Sequence, residues 1–291
     1  MYLCGLKHKD KTTMRLTKLF LLLLFLLPAL HLKADYALTD TVALQHVESH
    51  KFQKVKGLHS VEFRFAGDLP KATEAVYSNV TAWADSLLCF GLEQKPAATN
   101  APSLKKMVAA HQKAFIKNSK AEISEIDKQM RKEGNRHRIS YSYDMTISVV
   151  YETNRFITFS AETYFYTGGA HGGQALVYAT FRKDTGKLLT WEDLFLKKKM
   201  PALRGLVVDG LQDFFGVPTY SDLKTRLIFD QEYSRKNFPL PAGTPGLLKD
   251  GLRVQYASYE IAPYAAGRPM AVISYSKLKG FWTEEAKWLW K

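Results

Sequence analysis

The chain reads as an α+β protein in which antiparallel sheets carry packed helices, arranged as two closely packed lobes. Three observations predict this. Tyr141, Tyr143, Met145, Ile147, Val149 and Tyr151 alternate against Ser142, Asp144, Thr146 and Ser148, the mark of a half-buried strand. Ala72, Val76, Val80, Trp83 and Leu87 recur at three- and four-residue spacing, the stripe of a helix packed on a sheet. The order of such segments, with no internal repeat, is that of an α+β chain.

The first 34 residues are set apart from the fold. Residues 19–30 are almost unbroken apolar sequence, preceded by Arg15 and Lys18 and followed by His31-Leu32-Lys33-Ala34. This is the pattern of a signal peptide, with cleavage expected after Ala34. The run is shorter than the roughly 20 apolar residues of a bilayer span, and Pro28 interrupts it. Met14 stands just before the basic flank and is an alternative start to Met1. An exported protein, periplasmic or extracellular and not integral to the membrane after cleavage, is the expectation. Cys4 would leave with the signal, so no intramolecular disulfide is expected and Cys89 reads as buried packing.

Beyond the signal, alternation over residues 59–65 predicts a strand, and the stripe from Ala72 predicts a helix that Gly91 ends. Residues 95–102 read as a Pro/Ala/Asn linker, after which Ser103 caps a second helix with an apolar face of Leu104, Val108, Phe115, Ile123, Ile126 and Met130. Its middle, residues 117–120, is weakly apolar. The alternating strand over 141–151, a second over 156–166 and a third over 174–182 predict a meander whose last two strands are joined by a glycine-rich segment. Asp184-Thr185-Gly186-Lys187 is a turn, and Thr190 with Asp193 caps a short helix. A helix through Leu203, Leu206, Val207, Leu211 and Phe214 stops at Gly216-Val217-Pro218. Residues 239–246 read as an irregular loop, and strands are expected at 252–256 and 270–275. Phe281-Trp282 and Trp288-Leu289-Trp290 are explained by a docked terminal helix.

The most informative stretch is Tyr164-Phe165-Tyr166-Thr167-Gly168-Gly169-Ala170-His171-Gly172-Gly173, where two glycine pairs flank Ala170-His171. Glycine reaches positive φ at no steric cost, so the backbone here follows an unusual path with His171 at a strand end. With residues 181–195, which hold Asp184-Thr185-Gly186-Lys187, and with Tyr259-Glu260-Ile261-Ala262-Pro263-Tyr264-Ala265-Ala266-Gly267, the chain resembles one family over residues 164–278. That family is the extracytoplasmic domain of unknown function shared by the RsiV anti-sigma factor and the PdaC peptidoglycan deacetylase, outside the latter's catalytic domain. Residues 51–151 are similar, more weakly, to the companion domain that precedes it. The expected division is therefore a signal peptide over 1–34, an N-terminal companion domain over 35–151 and a C-terminal domain over 152–291. The resemblance implies export and a cell-envelope role and brings no catalytic mechanism. From the RsiV side it implies lysozyme sensing.

The residues bound the chemistry. The formal net charge of +13 falls with the loss of residues 1–34 but stays positive, which favours anionic partners such as phosphate-rich wall polymers or lipid headgroups, with nucleic acid not expected in an exported protein. Basic charge also opposes encounter with a basic lysozyme. There is no HExxH; His46 and His50 lack a third ligand, so no metal or other cofactor is expected. A Gly-x-Ser-x-Gly elbow is absent. His171 suits a general base, a ligand-gripping donor or a structural contact to backbone carbonyls. The expected site comprises Tyr164, Tyr166, Gly168, Gly169, His171, Gly172, Glu260 and Tyr264, with the tyrosines as stacking surfaces for sugar rings. The reading favours a non-enzymatic module that recognises a wall-derived glycan or an envelope protein. The alternatives are a peptidoglycan-directed hydrolase using Glu260 or Glu162 with His171, and a lysozyme-binding or envelope-assembly partner. Glu192 and Asp193 are explained by the amino end of the helix they occupy.

Overall fold

The computed structural model describes residues 41–92, 103–229 and 232–290. The expected signal peptide and the linker over 95–102 lie outside them. Mixed helix and strand content in two sheets establishes the α+β class.

The first sheet has five strands in the order β1-β2-β3-β4-β5. These are Leu44–Val55, His59–Pro70, Ser140–Glu152, Phe156–Tyr166 and Gly173–Arg182. Between β2 and β3 the chain makes two helices, α1 (Tyr77–Gly91) and α2 (Leu104–Lys132). A crossover of that length returns the chain in the same direction, so β2 and β3 pair in parallel while the other neighbours are antiparallel. Ser103 caps α2 by accepting from the Lys106 amide, and the helix runs unbroken through the polar stretch at 117–120. Phe115, Ile116, Ser119 and Ile123 carry its buried face through that stretch.

Helices and sheet enclose the first core, in which Phe63 stacks on Tyr143 and Trp83 meets Phe159 and Phe181. The sequence pattern does not announce strand β1. It is an edge strand with Gln, His, Glu and Lys on both faces, and only Val47 and Val55 are buried, so it lacks an alternating pattern.

The second lobe begins with α3 (Trp191–Leu194), where Thr190 and Asp193 form the expected capping box. Helix α4 (Met200–Phe215) ends at Gly216, whose φ of 63° closes the left-handed cap. After α5 (Tyr220–Lys224), three short strands, β6 (Gly246–Leu248), β7 (Gly251–Gln255) and β8 (Met270–Ile273), form an antiparallel sheet on which α4 packs. The chain closes with α6 (Glu284–Trp288). Trp282 and Leu289 are buried in this second core, which accounts for the terminal aromatic cluster as docking.

Strands β4 and β5 serve both lobes. Ile157 and Phe159 face the first core, whereas Phe156 faces the second and the intervening Thr158 bonds to Leu247 of β6. Burial on both faces explains the continuous buried run at residues 156–159. The first sheet therefore runs across residue 151, where the sequence suggests a division, and joins the lobes through backbone pairing.

Candidate functional site

The glycine-rich segment joins β4 to β5 as expected. Gly168 and Gly169 take φ values of 90° and 94°, which side-chain-bearing residues rarely adopt. The Tyr166 hydroxyl donates to the Gly169 carbonyl at 3.0 Å and ties the loop to its own strand. Gly172 is required by contact: a Cβ there would lie 2.6 Å from both the Phe165 carbonyl oxygen and the Tyr164 hydroxyl. Tyr164 thus lies across Gly172 at the exposed end of the hairpin, with 42% of its surface open.

His171 projects from this loop to meet the excursion between β7 and β8. Its imidazole stacks on Tyr264 with centroids 4.2 Å apart and planes 17° apart. The Nδ1 nitrogen donates to the Gly172 carbonyl at 3.0 Å, which in the neutral ring leaves Nε2 to accept from the Tyr259 hydroxyl at 3.4 Å. Tyr259 also lies 5.7 Å from Tyr264, ring to ring. The result is an open platform of two phenols and an imidazole, in which His171 and Tyr259 are exposed and Tyr264 is half-buried.

Tyr259 is the residue that sequence reasoning missed as part of the site. Its φ of 66° is a left-handed conformation unusual for a bulky residue, and no local pattern announces it. The available signal was its place at the head of the Tyr259–Gly267 motif.

The two carboxylates are held elsewhere. Both oxygens of Glu260 accept backbone amides, Ala242 at 2.8 Å and Ala257 at 2.7 Å. Burial raises its pKa, and those two amides pull it partly back. Glu260 therefore fastens the 239–246 loop to the 257–267 excursion. Glu162, exposed on β4, pairs with Arg268 at 2.8 Å. The polar contacts of His171 among the described residues go to Gly172 and Tyr259 and not to either glutamate.

No cluster of three metal-ligating side chains lies at this platform among the described residues. His46 and His50 each pair with a carboxylate, Asp68 at 2.8 Å and Glu62 at 3.0 Å. Two grooves lie away from the platform. One, of about 410 Å³, runs between β1 and α2 and is lined by Lys51, Lys113, Lys117, Lys120, Gln112 and Ile116. The other, of about 290 Å³, includes His50, Arg64 and Asp144.

The architecture recurs in solved structures. A DUF3298 family protein from Bacteroides fragilis superposes with a TM-score of 0.65 at 20% identity, covering 85% of this chain and 96% of that one. A DUF3298 family protein from Pseudomonas aeruginosa gives 0.60 at 15% identity, covering 86% and 98%. No curated protein matches the chain. Residues 93–174 match the family model described as "Deacetylase PdaC", and residues 192–276 match "Protein of unknown function (DUF3298)". The glycine–histidine motif closes the first match and the Tyr259–Gly267 motif lies within the second, so the ring platform forms where the two matched segments meet. Two family models thus match consecutive segments of the chain, and the glycine–histidine motif falls within the first of them, whereas the sequence reading assigns it to the C-terminal domain over 152–291.

Proposed function

We propose that this is an exported, non-enzymatic envelope protein whose platform of His171, Tyr259 and Tyr264 recognises a wall-derived glycan. The observation that carries this reading is the stack of the exposed His171 on the half-buried Tyr264, made by two motifs distant in sequence. Flat, solvent-facing rings offer apolar faces to the C–H surfaces of sugars, while the phenol hydroxyls and imidazole provide polar contacts. Tyr164, at the exposed end of the same hairpin, extends the surface. Export rests on the basic-flanked apolar run at residues 19–30. No helix among the described residues is long and apolar enough to cross a membrane.

The hydrolase alternative needs an available carboxylate beside His171. The amide bonds to Glu260 and the Arg268 partner of Glu162 favour the binding reading instead. Co-sedimentation of the purified chain with insoluble peptidoglycan, at low and high salt, tests the proposal when the supernatants are also assayed for released fragments. Salt-resistant binding without release is expected. Release of fragments would establish the hydrolase, and absence of both would point to a protein partner.

A further inference from the structure

Asp85, Cys89 and His111 form a second cluster, built from helices of the first lobe and independent of the ring platform. Asp85 and Cys89 are four residues apart on α1 and so share one face, and His111 comes from α2. One ligand-capable atom from each lies within 4.8 Å of the other two. His111 Nε2 is 2.6 Å from an Asp85 oxygen. Cys89 and His111 are 8% and 2% exposed, while 16% of the Asp85 side chain reaches solvent.

A second buried His–Asp pair in the same lobe shows what a purely structural version looks like. Asp127 accepts from His59 at 3.0 Å, and its charge is balanced by Arg131 at 3.0 Å and Lys56 at 3.4 Å. Among the described residues no lysine or arginine pairs with Asp85; a thiol stands near it instead. A thiol–imidazole–carboxylate set also suggests a nucleophile, but burial of Cys89 leaves no access for a substrate. The same three groups suit a cation. Thiolate, neutral imidazole and carboxylate carry two negative charges together, matching a divalent ion, and three such ligands with one open position are a common zinc arrangement.

The geometry points to a binding site for a divalent zinc-class cation at Asp85, Cys89 and His111, clamping α1 to α2. On binding, the Cys89 thiol gives its proton to solvent, His111 keeps one ring nitrogen protonated, and the ion accepts the three lone pairs. The ion enters from the Asp85 edge.

The full chain, free of any affinity tag and stripped with chelator, should bind one equivalent of cobalt(II). A sulfur-to-cobalt charge-transfer band and the intense visible bands of a tetrahedral site should accompany binding, and zinc should displace the cobalt. Cys89→Ser should abolish the charge-transfer band, and both Cys89→Ser and Asp85→Asn should weaken zinc binding by about 100-fold or more, the scale at which even outer-shell losses act. Zinc should raise the melting temperature of the parent chain and leave that of Cys89→Ser unchanged. Should Cys89→Ser fail to fold, Asp85→Asn at the solvent edge carries the comparison. Cobalt bound without a sulfur band, as an exposed histidine such as His46 or His50 would give, overturns the proposal. So does failure of the folded parent chain to bind either metal.

Discussion

The imidazole of His171 lies flat on the ring of Tyr264, although one comes from the β4–β5 loop and the other from the excursion between β7 and β8. This stack, with the Tyr259 hydroxyl on His171 Nε2, brings the two family motifs together. Stacked aromatic pairs contribute about 0.5–1.5 kcal/mol beyond burial, or roughly two- to tenfold in affinity if the ligand shares the stack. His171→Ala and Tyr264→Ala are each expected to weaken peptidoglycan binding by about that factor. Depletion isotherms measure this, and thermal melts supply the control. A lowered melting temperature with unchanged binding would make the stack a structural device only.

Gly172 sets the shape of the platform's base. A methyl group there would meet the Phe165 carbonyl and the Tyr164 ring at distances that real Cβ atoms do not show. Gly172→Ala should cost about 1–3 kcal/mol, as overpacking does, and should shift Tyr164. Gly205→Ala on α4, where nothing lies within 4 Å of the new methyl, should be neutral or slightly stabilising by the same chemical-denaturation assay.

Acid should loosen the first lobe through Asp127. The hydrogen bond from His59, then that from Arg131, hold its pKa at about 2, below the ordinary 3.8. A depressed carboxylate pKa means that the stabilisation is complete above the unfolded value and is lost as pH falls through the folded one. The urea midpoint of the parent chain should therefore drop between about pH 4 and about pH 2. Asp127→Asn should start lower at neutral pH and lose less across that window. Parallel curves for the two proteins would show that Asp127 does not govern the acid response.

Much of this fold was legible because period and burial agree. Strand β3 has one apolar face against the core, so Tyr141 to Ile147 alternate visibly. The box of Thr190 and Asp193 is local chemistry, readable wherever it occurs. Strand β1 was hidden because its core-facing positions carry Gln45, Ser49, Lys51 and Gln53 between the buried Val47 and Val55. Strand β6 was hidden because three residues are too few to show a period, and it is held by pairing with β7 as well as by Thr158 and Thr180 of the first sheet, which are distant in sequence. At the site, glycine spacing announced the loop, but the fate of Glu260 depended on two amides that no sequence pattern positions. Tyr259 likewise owes its place to a left-handed backbone that only the surrounding excursion enforces.

The lobes are joined by a buried hydroxyl network as well as by the shared strands. Thr158 donates to the Leu247 carbonyl at 2.7 Å, and Thr180 accepts from the Leu247 amide at 3.1 Å. The two hydroxyls are 3.0 Å apart, and both residues are fully buried. Valine has nearly the same shape as threonine, so Thr158→Val removes a donor without opening a cavity and leaves the Leu247 carbonyl short of a partner. The expected cost is about 1–3 kcal/mol, and Thr180→Val should cost a similar amount. Because the hydroxyls share one network, the double variant should lose less than the sum of the singles, with a coupling of about 0.5–3 kcal/mol. Glu162→Gln, which breaks only the partly exposed pair with Arg268, should stay within about 1 kcal/mol. A single urea transition that moves to lower denaturant in both threonine variants is the outcome expected of a sheet shared by two cores. A transition that splits in two would mean that the hydroxyls, and not the paired strands, make the lobes unfold together.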